Sequence, residues 1–116
     1  MKAEDFVDAV RTLVMDGAVA DTLAVVEKPP GRRPSSELVQ MAEWFRGLSS
    51  ADRSMVERVL AVASRQAVSG LLAVLDGARK VDPASAPGDY FELRHVHGGA
   101  VDTLCGPHGA VLHELL

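Results

Sequence analysis

The chain has 116 residues, 47% hydrophobic and 4% aromatic, with 12 Lys and Arg against 16 Asp and Glu and a net charge of −4. That length suits one domain with a modest core of Leu, Val and Ala, and the acidic balance argues against nucleic acid or an anionic membrane as partner. The single cysteine, Cys105, excludes an intrachain disulfide and makes a reducing compartment the default.

The N-terminal stretch carries Glu4, Asp5 and Asp8 and no long apolar run, so it does not read as a secretory signal. Residues 3–27 form the first predicted helix. Phe6, Val10, Leu13, Gly17, Ala20 and Ala24 share one face, and Val19, Leu23 and Val26 lie nearly opposite. Either the helix bends near Asp16 and Gly17 and returns both faces to one core, or its second half is buried on two sides, as a homodimer contact would do. The loop Lys28-Pro29-Pro30-Gly31-Arg32-Arg33-Pro34 stops the helix. Its bases read as a solvated loop pairing with the acidic N-terminal helix, the alternative being a site for a phosphate or an acidic partner.

Ser35 or Ser36 then caps a helix over 35–47, with Leu38, Met41, Ala42 and Phe45 on its apolar face and Gly47 suited to a left-handed C-terminal cap. Trp44 beside that face reads as half-buried packing, with an exposed recognition anchor as the functional alternative. The longest predicted element spans 50–79. Ser49 caps it with Asp52 three residues on, and Val56, Val59, Leu60, Ala63, Ala67, Leu71 and Val74 make an apolar stripe at helical period. Gly70 marks a close contact or a mild kink, and the Asp76-Gly77 end reads as fraying. No stretch approaches the roughly 20 apolar residues of a membrane span, so the expected location is the cytoplasm.

After a turn-rich loop the period changes to two. Residues 89–105 predict a two-stranded hairpin, with Phe91, Leu93 and His95 on one side and His97-Gly98-Gly99 in the turn. Such a hairpin must lean its Phe91 and Leu93 face on the helices. The tail Val111–Leu116 predicts a docked helical turn. The fold expected is α+β and mostly α: a three-helix bundle in a single domain, 1–116, with a C-terminal antiparallel hairpin and a short terminal helical turn.

The chemistry-bearing residues His95, His97, Cys105, His108 and His113 collect near the C-terminus. His95, His97, Cys105 and His108 supply the N and S donors that tetrahedral zinc accepts, but their spacing matches no standard module, and hairpin histidines without a ligand role are the commoner case. A Cys105–His nucleophile would need an orienting third group and a depressed thiol pKa, and no motif supplies either. No Walker-type loop, dinucleotide fingerprint, nucleophile elbow or H-E-x-x-H is present. The expectation is therefore no catalytic residue, no cofactor and no metal.

The segments PPGRRPSSELVQMAEWFRGLSSADRSMVERV, SGLLAVLDGARKV, YFELRHV and LHELL, which cover most of the chain from Pro29 onward, resemble a family of small uncharacterised bacterial proteins. Their hallmark order is a PPGR loop, a Trp-containing short helix, a long helix ending in LDG, a hairpin and an LHEL-type tail. The resemblance implies a helical fold with a hairpin and no assignable activity. The function expected is a non-enzymatic interaction or accessory domain, a homodimer among its forms, presenting Val19, Leu23 and Val26 or the Arg32, Arg33 and Trp44 region to a protein partner. The alternative is a metal-binding protein using the C-terminal His/Cys cluster.

Overall fold

From the N-terminus the chain runs through α1 (Ala3–Val10), a π-helical segment (Arg11–Asp16), α2 (Gly17–Glu27), α3 (Ser36–Arg46), α4 (Ser50–Leu75), β1 (Leu93–His97), β2 (Ala100–Cys105) and α5 (Leu112–Leu115). It is α+β and mostly α, with one antiparallel hairpin, as the periodicity predicts. The computed structural model describes all 116 residues. Their contacts divide into two units, Met1–Thr12 with Gln66–Leu116, and Leu13–Arg65.

The first unit holds the main core. Val7 of α1, Leu72 of α4, Cys105 of β2 and Leu112 of α5 are buried together, with Phe6, Val68, Leu75 and Leu93 packed around them. The predicted tail is a true element because Leu112 is wholly buried and the Arg11 guanidinium donates to the main-chain oxygens of Leu115 and Leu116, both at 2.9 Å. The long helix stops at Leu75, four residues short of the expected 79, and it does not fray. Gly77 takes φ 75°, the Ala78 N–H bonds the Ala73 carbonyl at 2.9 Å and the Gly77 N–H bonds that of Val74 at 3.1 Å. These are the paired bonds of a Schellman motif, which needs a left-handed residue after the cap. Gly77→Ala has open space for its methyl group, so its cost is backbone strain alone. We expect a loss of roughly 1–2 kcal/mol in chemical denaturation. Gly70 is a close-contact position: a methyl group there would stand 2.9 Å from the Arg79 guanidinium.

The hairpin begins later than predicted, at Leu93, and Phe91 is half exposed rather than leaning on the helices. Within the hairpin, β2 carries a bulge. Leu93 pairs with Cys105 but Arg94 pairs with Thr103, so Leu104 is the extra residue. Two successive residues of β2 oppose one of β1, which lets Leu104 and Cys105 both be buried despite the strand's alternation. His97 pairs with Ala100, so it belongs to the strand and not to the turn. The turn is Gly98-Gly99, with φ 53° and 83°, the pair of positive values a two-residue hairpin loop demands.

In the second unit α2 packs on α3, and only Ala42 and Phe45 are buried. Ser35 caps α3 through the Leu38 N–H, and Ser49 caps α4 through the Asp52 N–H. Gly47 departs from expectation: its φ of −78° is right-handed. The end of α3 closes instead by short-range bonds to the Trp44 and Phe45 carbonyls and by the Arg53 guanidinium, 2.8 Å from the Arg46 carbonyl. Between α1 and α2 the chain takes a widened, π-helical turn that ends at Asp16. Leu13, expected on the Phe6/Val10 face, is 76% exposed.

Candidate functional site

Three arrangements could carry function, and the first is the C-terminal set of metal-ligand types. His95 and His97 stand two apart on β1, with stacked rings whose centroids are 6.1 Å apart. His95 is half-buried and its Nδ1 lacks a hydrogen-bond partner. His108 is exposed on the loop after β2, beside a cleft it shares with Tyr90, Glu92 and Thr103. Cys105 is buried in the core. No three His, Cys, Asp or Glu side chains converge as metal ligands would, so the spacing that suggested a shared site does not bring these four together.

The second arrangement centres on Asp76, which the sequence reading passed over as a helix terminus. Its side chain is 3% exposed. It accepts from the N–H groups of Leu112 and His113, each at 2.8 Å, and its Oδ2 lies 2.7 Å from His113 Nδ1. The Cys105 Sγ is 3.6 Å from Oδ1 and donates to the Leu75 carbonyl at 3.1 Å. Burial pushes the Asp76 carboxyl up, but the four hydrogen bonds from His113, Leu112 and Cys105 outweigh it, so its pKa falls below the ordinary value. Asp76 thus holds the first turn of α5 from across the core. A signal for this was present: an acid at a helix C-terminus opposes the helix dipole, so its placement there calls for another partner.

Cys105, Asp76 and His113 contain the residue types of a nucleophilic triad in the wrong order. The acid stands between thiol and imidazole, and no base touches the sulfur. Burial, then the Asp76 charge and its hydrogen bond, raise the Cys105 thiol above its ordinary pKa. A catalytic thiol requires the opposite. The arrangement acts as a clasp between α4, β2 and α5.

The third arrangement is an apolar groove in the second unit. Leu23 and Val26 of α2, Met41 and Trp44 of α3, and Val56 and Leu60 of α4 line a space of about 180 Å³. Val19, Leu23 and Val26, the second apolar face of the first predicted helix, are half-buried. They point into this groove and its neighbour along α4, beside Leu60, Ala63 and Ser64. Trp44, expected to be half-buried, is 60% exposed at the rim. Arg32 and Arg33 are exposed and form no ion pair. Of the interaction candidates the structure gathers Leu23, Val26 and Trp44 at one groove. No family model, no curated protein and no solved structure matches the chain, and the resemblance drawn from its PPGR, LDG and LHEL motifs stands on those residues alone.

Proposed function

We propose that this protein is a non-enzymatic interaction domain that binds another polypeptide through the apolar surface of its Leu13–Arg65 unit. One observation carries the reading. That unit buries only Ala42 and Phe45, while Leu13, Trp44, Met55, Val59 and Val62 stand more than half exposed. Trp44 stands at the rim of the apolar groove lined by Leu23, Val26, Met41, Val56 and Leu60; exposed apolar grooves mark interaction sites, and Trp is enriched among interface anchors. The groups that would argue for chemistry are committed elsewhere, the Cys105 thiol to the Leu75 carbonyl and the His113 ring to Asp76.

The test places a photo-cross-linking amino acid at Trp44, with the exposed Asp21 of α2, turned away from Leu23 and Val26, as control. A discrete polypeptide adduct at 44 and none at 21 is the expected result. Equal cross-linking at the two positions, or none at either, would overturn the reading.

A further inference from the structure

We infer that the cleft between the end of α4 and the loop before β1 binds a small zwitterion with an apolar body, the chemistry of a free aromatic amino acid. The inference goes beyond the interaction reading and is independent of it, because every wall residue belongs to the other unit. The cleft has a volume of about 400 Å³, within the roughly 300–1,000 Å³ of small-molecule sites. Arg79, Lys80, Asp82 and Asp89 all line it, yet none of them forms an ion pair. Opposite charges that share a cleft without pairing must be held apart, and each side has its own restraint.

The cations are held at the end of α4. The Arg79 N–H bonds the Ala73 carbonyl at 3.2 Å, alongside that of Ala78, so the Schellman motif at Gly77 fixes where this side chain starts. Its guanidinium lies along α4 at Gly70, in space that a side chain there would take. The helix dipole accounts for a cation at this end, but it amounts to only about half a negative charge. Two cations more than answer it. Contrary to expectation, α4 meets the length and composition of a membrane span, with a mean hydropathy of 1.4. Its last turns are nonetheless committed within the protein, since Leu72 is buried among Val7, Cys105 and Leu112.

The acids are held by the turns of the loop itself. Asp82 Oδ1 accepts from the Ala84 N–H and Asp89 Oδ2 from the Ala86 N–H, each at 2.9 Å. Each carboxylate thereby keeps its second oxygen for another donor. Val74, Val81 and the rings of Tyr90 and Phe91 complete the wall, and Tyr90 and Phe91 are 61% and 47% exposed. An Arg fork takes a carboxylate through two parallel bonds. An ammonium takes a carboxylate oxygen and the face of a ring, and aromatic side chains cover an apolar body. A ligand with one charge answers only half of this wall, whereas a zwitterion answers both halves. Because both sets of charges are positioned beforehand, little ordering remains to oppose binding.

Tyr90 is the chain's one tyrosine, so fluorotyrosine places a single fluorine reporter in the cleft. The full chain is titrated by fluorine NMR with phenylalanine, with phenylpropanoate, which lacks the ammonium, and with phenethylamine, which lacks the carboxylate. A saturable shift with phenylalanine is expected, and binding roughly tenfold weaker for either analogue, the worth of one charge-assisted pair. Arg79→Gln/Lys80→Gln should bring phenylalanine down to the level of phenethylamine. Asp82→Asn/Asp89→Asn, which keeps an acceptor oxygen for each turn, should bring it down to that of phenylpropanoate. Circular dichroism checks each fold. Should the first pair unfold, Lys80→Gln alone, at an exposed residue, must still weaken phenylalanine and phenylpropanoate and leave phenethylamine unchanged. The absence of a saturable shift overturns the inference. So does either analogue binding as tightly as phenylalanine, or a folded variant that binds phenylalanine as the wild type does.

Discussion

Asp76→Ala is expected to destabilise the protein by about 2–4 kcal/mol and to free its C-terminal segment. The carboxylate accepts two main-chain N–H bonds and one from the His113 ring while almost wholly buried. Hydrogen bonds to a charged group are worth about 1.5–3 kcal/mol each, and leaving a buried donor unpaired adds to the loss. The substitution leaves the Leu112 and His113 N–H groups without an acceptor, although Leu112 is itself in the core. Chemical denaturation gives the magnitude, and hydrogen exchange over 111–116 shows whether α5 detaches first. Asp76→Asn keeps one acceptor oxygen and should fall between the two.

The same group fixes the sign of an acid effect. Its folded pKa lies below the unfolded value of 3.8, so the unfolded chain takes up the proton first as pH falls. The stability Asp76 contributes is complete above 3.8 and is lost progressively as pH drops through the lower folded value. Wild type and Asp76→Ala should therefore differ most near neutrality and converge in strong acid. A gap that stays constant through that window would mean that the carboxylate's charge contributes nothing.

The elements of this fold were legible because each is announced locally. Ser35 and Ser49 sit where a helix start needs an acceptor, Gly98-Gly99 where a hairpin needs two positive φ angles, and the apolar period switches from helical to two near Leu93. What escaped depends on contacts distant in sequence or on single-residue insertions. The widened turn at Arg11–Asp16 has no compositional signature, and Leu13 within it stands exposed. The bulge at Leu104 is equally silent, and it lets Leu104 and Cys105 both be buried. Asp76 looked like a helix end because its partners, Leu112 and His113, lie 36 and 37 residues away. The α4 stripe read as buried from its period alone, but period shows only that a face is apolar. It does not say which molecule covers the face, and Val59 and Leu71 remain open.

Phe45→Ala should have the larger effect on the Leu13–Arg65 unit, about 3–5 kcal/mol. Phe45 is the one large side chain buried there, at 3% exposure, and the Arg53 guanidinium lies over its ring at 5.4 Å. Its removal empties the floor beneath Leu23, Val26 and Trp44, whereas Trp44→Ala at the rim should cost little stability. Hydrogen exchange should show protection collapsing over 13–65 while the Val7, Leu72, Cys105 and Leu112 cluster holds, because that core shares no buried residue with the other. Simultaneous loss in both would mean that α4 couples them into one cooperative body.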